Sequence, residues 1–154
     1  MDKLVIDASV VIASLLRDEP YRAGALNVLT QFISEALELV TVPLMRYEVT
    51  NAVWKAFQLG RVSLEDALEA LKEFEAFNIP EVGVSSIEIL RLAHAYHRSA
   101  YDAAYLALAK AEQAPLITAD RRLYNALRGK FPLLLWVEDF KGKSHSINDN
   151  VSQS

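Results

Sequence analysis

Leu4-Val5-Ile6 is an unbroken apolar run closed by Asp7, and such a run suits a strand buried on both faces of a parallel sheet. Leu39 to Val42, Glu81 to Val84, Leu116 to Thr118 and Leu133 to Val137 repeat the signature. Between them, apolar positions recur at helical spacing over Ala8 to Leu16, Ala23 to Leu37, Leu44 to Leu59, Leu64 to Phe77, Ile87 to Arg98, Tyr101 to Glu112 and Arg121 to Arg128. Short buried strands alternating with helices predict an α/β domain. The punctuation agrees: Pro43 and Pro115 stand at element starts, Gly60 follows a helix, and Ser63 with Asp66 makes a capping box ahead of Leu64. In the helix that follows, Leu64, Ala67, Leu68, Leu71 and Phe74 form one stripe, which predicts a core-facing side. No linker interrupts residues 1–140, whereas 141–154 is polar and aperiodic and reads as a disordered tail.

Composition narrows the classes. With 154 residues, 52% hydrophobic and 23% charged, the chain has the size and balance of one globular domain. Sixteen Lys and Arg against twenty Asp and Glu leave a net charge of −4, so bulk charge does not attract a polyanion. The distribution is uneven: residues 1–90 carry 7 basic and 14 acidic groups, and residues 91–143 carry 9 and 5. A second half gathered on one face can therefore hold phosphates that the first half repels. The lack of cysteine removes disulfides, thiolate nucleophiles and thiolate-ligated zinc, and three histidines supply zinc chemistry poorly. Leu4 to Leu16 is too short to span a bilayer. With Asp7 inside it and no basic cluster before it, this stretch does not read as a signal peptide, so a cytoplasmic protein without membrane association is expected.

Sites in parallel α/β sheets form beyond the carboxyl ends of the strands. Asp7 ends the first strand and Asp120 lies just past the Leu116 to Thr118 strand, which places both at one edge. Glu48 and Asp102 sit among helix positions that read as buried, with Tyr47, Val49, Ala52 and Val53 around the first and Tyr101, Ala103, Ala104 and Leu106 around the second. An acid buried alone is costly, and a shared cation is its economical partner. Each acid also has an ordinary role: Asp7 and Asp120 as helix caps, Glu48 as a solvated helix residue, Asp102 as a favourable charge near a helix N-terminus.

Taken in order, Val5-Ile6-Asp7-Ala8-Ser9, Tyr47-Glu48-Val49-Thr50-Asn51, Tyr101-Asp102-Ala103-Ala104-Tyr105-Leu106-Ala107 and Thr118-Ala119-Asp120 resemble the PIN-domain family. More narrowly, they resemble its ribonuclease toxins of VapBC-type toxin–antitoxin pairs. The resemblance implies a three-layer α/β/α fold around a central, mainly parallel sheet. It further implies that Asp7, Glu48, Asp102 and Asp120 bind Mg²⁺ or Mn²⁺ and serve cleavage of single-stranded RNA. Ser9 and Thr118 match small hydroxyl positions beside the first and last acids. The same resemblance implies a small antitoxin protein held in apolar grooves, with Leu15, Leu16, Leu26, Leu29 and Phe57 as candidates, and pairing of protomers as a homodimer. The alternative is a PIN-like module that binds RNA or protein without cutting, against which the complete set of four acids speaks.

Magnesium prefers oxygen ligands, keeps several waters and usually takes one or two carboxylates directly. Such an ion lowers the pKa of a bound water and aligns it with a phosphodiester, leaving a 5′-phosphate and a 3′-hydroxyl without a side-chain nucleophile. His94 and His97, three apart on one helix, read as surface or packed residues. For the substrate backbone the candidates are Arg121 and Arg122, directly after Asp120, and Arg98, four before Asp102. Tyr101, Tyr105 and Tyr124 are candidates for base stacking, although core packing is the commoner role. Gly142-Lys143-Ser144 imitates the end of a phosphate-binding loop, but Val137 stands where that loop needs glycine. Crowded carboxylates raise one another's pKa and oppose folding in the absence of metal, so Asp120→Asn is expected to stabilise the metal-free protein.

Overall fold

The computed structural model describes residues 1–142; from Lys143 onward the expected tail, the end of the Gly142-Lys143-Ser144 motif included, lies outside the described residues. Four strands, β1 (Asp2–Ile6), β2 (Leu37–Val40), β3 (Leu116–Thr118) and β4 (Leu134–Trp136), form one parallel sheet in the order β2-β1-β3-β4. Leu4, Val5, Ile6, Leu116 and Ile117 are each 3% exposed or less. Because successive strand residues point to opposite faces, their uniform burial means that both faces of the sheet are covered. The cover is helical, so the domain has the expected three layers.

Among the described residues seven α-helices supply it: α1 (Ala8–Leu15), α2 (Arg22–Ile33), α3 (Leu44–Gln58), α4 (Leu64–Phe77), α5 (Ser86–Tyr96), α6 (Ala100–Glu112) and α7 (Arg121–Leu127). Helix α6 packs on β1 and β3, and its inward side is alanine-rich, with Ala103, Ala107 and Ala109 at 2% exposure or less. Small side chains let the helix approach the sheet closely, which brings Tyr105 beside Asp7 at the end of β1. Ser63 caps α4 by accepting from the Asp66 amide, as the sequence predicts. Among the described residues no helix is long and apolar enough to cross a membrane.

Three expectations need correction. The helix expected to run to Leu37 ends at Ile33, and Leu37 opens β2 instead. Glu35 adopts φ 62°, and the Ala36 and Glu35 amides bond back to the Gln31 and Phe32 carbonyls, a Schellman ending achieved without glycine. The strand expected at Glu81 to Val84 shrinks to a single parallel bridge between Thr41 and Glu81. Pro80 has no amide to donate, and Gly83 has no side chain to pack, so the segment does not extend the sheet. On α4, Leu64 and Leu68 are 56% and 53% exposed rather than core-facing. Of the groove candidates, Leu29 is buried, while Leu15 and Leu16, also largely buried, line a cleft with Arg22, Arg61 and Val62.

Chain connectivity locates the functional edge. From β1 the chain moves through α1 and α2 to β2 on one side, and it later returns to place β3 on the other side of β1. The crevice between the ends of β1 and β3 is thus the point where the strand order reverses. Asp7 and the Thr118 to Asp120 segment flank it.

Candidate active site

Asp7 follows β1 and occupies the N-cap position of α1, yet its side chain bonds to no helix amide. Its Oδ2 instead accepts from Ser9 Oγ and Thr118 Oγ1, both at 2.8 Å. Ser9 Oγ also accepts from the Ala119 amide at 2.9 Å, and Thr118 Oγ1 from the Asp120 amide at 3.0 Å. Each hydroxyl has one hydrogen, and both are spent on Asp7, so the 3.3 Å contact between the two oxygens carries none. The ends of β1 and β3 are thereby tied through one carboxylate oxygen. Asp7 Oδ1 accepts no hydrogen bond among the described residues.

Glu48, on α3, is half-buried and receives the Tyr105 hydroxyl at 2.6 Å on Oε1. Tyr105 belongs to α6 and is 2% exposed, so it is neither a surface stacking platform nor a plain core ring. Its role as a donor was not anticipated from the sequence; the signal available was its position three residues after Asp102, on the same helical face.

Asp102 stands in the first turn of α6, whose cap is Ser99. The expectation that it needs a shared cation is corrected by Arg98, whose Nε and Nη2 both reach Asp102 Oδ2, at 3.1 and 2.9 Å. The pair has the i,i+4 spacing that helical geometry favours, although Arg98 itself lies just ahead of the helix. The burial expected around Glu48 and Asp102 is also partial, since Tyr47 and Tyr101 are 70% and 65% exposed. Asp120 does act as a cap: its Oδ1 accepts from the Arg122 and Leu123 amides at 3.0 and 3.3 Å.

Electrostatics joins these acids. Burial raises the Asp7 carboxyl from its ordinary 3.8 to about 6, against the pull of its two hydroxyl donors, and the charges of Glu48 and Asp120 add to the rise. Glu48 is raised as well, chiefly by burial, with Asp102 and Asp120 pushing the same way and the Tyr105 bond opposing. The Tyr105 hydroxyl is held far above its usual range by burial and then by Asp7 and Glu48. Asp7 and Glu48 thus sense the other acids, while among the described residues no lysine or arginine offsets either.

The donor chemistry is that of a hard divalent cation, since every candidate atom is a carboxylate oxygen. Among the described residues no three His, Asp or Glu side chains gather closely enough to hold an ion together. An ion that takes one or two carboxylates and keeps the rest of its shell as water still fits this arrangement. The basic candidates differ from one another: Arg98 is engaged with Asp102, Arg121 stands over aromatic rings, and Arg122 is exposed without an ion pair among the described residues.

Comparison with known proteins places this geometry in context. The PIN domain family matches residues 4–128. Ribonuclease VapC3 of Pyrobaculum aerophilum is 33% identical over 137 residues, covering 86% of this chain and 98% of that protein. The crystal structure of PAE2754 from Pyrobaculum aerophilum superposes with a TM-score of 0.67 at 23% identity, over 99% of this chain and 97% of that one. VapBC2 from Rickettsia felis, solved bound to a DNA fragment from its promoter, superposes with a TM-score of 0.61 at 13% identity, over 87% and 96%.

Proposed function

The chain belongs to the PIN domain family, and on that premise we propose that it is a divalent-metal-dependent endoribonuclease acting on single-stranded RNA, the toxin of a toxin–antitoxin pair. The relative that carries the name ribonuclease is matched nearly end to end, which supports the activity class. The observation that carries the mechanism is the edge at which Asp7 and Glu48, both raised by burial, face further acids, neither of the two having a cation of its own among the described residues.

Asp7 and Glu48, with Asp102 and Asp120 around them, would hold Mg²⁺ or Mn²⁺. When bound, the ion supplies an acidified water and neutralises charge at the phosphate. Ser9 and Thr118 orient Asp7 from one side, so that Oδ1 is its available atom. Tyr105 fixes one oxygen of Glu48. Of the three candidate arginines, Arg122, exposed and without an ion pair among the described residues, is the one left for the RNA backbone.

The partner reading is an antitoxin protein, supported by the VapBC likeness and by apolar side chains left exposed on α3 and α4, Trp54, Leu64 and Leu68 among them. Pairing into a homodimer in the cytoplasm belongs to the same proposal. Co-expression with the neighbouring reading frame should yield an inhibited complex, and light scattering should give a dimer. The rival reading, a module that binds without cutting, draws support from the incomplete convergence of the acids.

One assay separates these readings. Circular single-stranded RNA incubated with the pure chain should open only with Mg²⁺ or Mn²⁺, give 5′-phosphate ends, and stay closed in EDTA or with Asp7→Asn. Undiminished cleavage in EDTA would refute the metal mechanism. RNA that is bound but never opened would favour the non-catalytic module.

A further inference from the structure

Arg121 follows Asp120 directly, but its guanidinium is directed to aromatic rings instead of acids. Its central carbon stands 4.1 Å from the Trp136 ring centroid and 5.4 Å from that of Tyr21. No carboxylate pairs with Arg121 among the described residues, in contrast to Arg46, Arg61, Arg91 and Arg98.

The platform beneath it is buried and packed against two tyrosine rings. Trp136 is 5% exposed, and its ring meets Tyr21 edge-on at 4.8 Å and Tyr124 at 5.2 Å. Tyr21, which meets Trp136 edge-on, has φ 64°, a left-handed conformation costly for a residue with a side chain. Trp136 closes β4 and is the register partner of Thr118. The platform therefore lies one strand, about 4.8 Å, from the residue that holds Asp7. Arg121 itself is exposed, so solvent reaches its side chain.

We propose that Arg121, backed by Trp136, is a nucleobase subsite: an unpaired base beside the scissile phosphate stacks on the guanidinium and extends the column begun by the indole. The proposal rests on the reading of single-stranded RNA as substrate and adds a base contact to it. A planar guanidinium offers a base a stacking surface, which an ammonium cannot. Backing by a buried indole orders that plane before RNA arrives, so little side-chain freedom is lost on binding.

The test uses the full chain carrying Asp7→Asn, to bind without cutting, and fluorescence anisotropy with three labelled oligoribonucleotides of equal length and charge: oligo(A), oligo(U) and an abasic ribose-phosphate. Oligo(A) should bind about tenfold tighter than the abasic strand, with oligo(U) between. Adding Arg121→Lys should collapse that spread to about twofold and leave abasic binding and its salt slope unchanged. An unaltered spread in the Lys variant would overturn the subsite. Equal weakening of all three strands by Arg121→Ala, with Arg121→Lys like the parent, would also overturn it by making Arg121 a phosphate contact. If none of the three strands binds the parent, the RNA reading itself fails; if they bind without discrimination, only the subsite does.

Discussion

The Tyr105 hydroxyl donates to Glu48 Oε1 at 2.6 Å, joining helices α6 and α3 through two residues 57 positions apart in sequence. Tyr105 brings a proton but no charge to a carboxylate that burial and acidic neighbours already disfavour. Tyr105→Phe removes that proton and keeps the ring. Stability should fall by about 1 kcal/mol, and cleavage by about tenfold because Glu48 loses its orientation. A variant with normal cleavage and a lower melting temperature would make Tyr105 structural only.

Asp7 contributes to the pH dependence of the metal-free protein's stability. Its folded pKa of about 6 exceeds its ordinary 3.8, so the folded state binds more protons between these values. Its favourable contribution is therefore complete below about pH 4 and disappears as pH rises through about 6. Asp7→Asn keeps an acceptor for Ser9 and Thr118 and removes the charge. In EDTA at pH 7 it should be more stable than wild type by on the order of 2–3 kcal/mol, with the difference fading toward pH 4. Denaturation curves across that range would discount the buried charge if the two proteins ran parallel.

Added Mg²⁺ or Mn²⁺ should raise the wild-type melting temperature at pH 7 and raise it less at pH 5, where protons compete for Asp7. Equal shifts at both pH values, or an equal shift in Asp7→Asn, would place the ion elsewhere.

At Asp120 the structure changes the expected outcome, because its Oδ1 caps α7. Asparagine can still cap, so Asp120→Asn should melt close to wild type, whereas Asp120→Ala should lose about 1 kcal/mol. Both should cut RNA poorly if the charge belongs to the site. Full cleavage by Asp120→Asn would leave this residue as a cap alone.

Arg98 competes with any ion for Asp102. The pair is partly exposed, so Arg98→Gln should cost under about 1 kcal/mol of stability. Calorimetric Mn²⁺ affinity should rise several-fold as Asp102 is released. Unchanged metal affinity with weaker RNA binding would instead assign Arg98 to the phosphate backbone.

Order and spacing along the chain determined the parallel α/β class, the position of Asp7 and Asp120 at one sheet edge, and the bounds of α4 and β3. These are local matters: a buried parallel strand must be apolar throughout, and a helix must repeat its apolar face, so each leaves a periodicity that can be read without its neighbours. The ending of α2 escaped because Glu35 takes the left-handed conformation without the glycine that usually marks it. The β-segment after Pro80 escaped because strand formation depends on a partner edge as well as on composition. Tertiary structure alone decided the chemistry of Asp7 and Glu48, whose partners Thr118 and Tyr105 come from distant segments, whereas Asp102 and Asp120 are met by neighbours in sequence. Asp7 and Asp120 both precede helices, yet one is turned into the crevice by Ser9 and Thr118 and the other is spent on two amides. The burial of Asp7 and Glu48 and their long-range partners come from residues brought together by the crossovers, and the role of these two carboxylates follows from those surroundings because the cost of their charge is set by them.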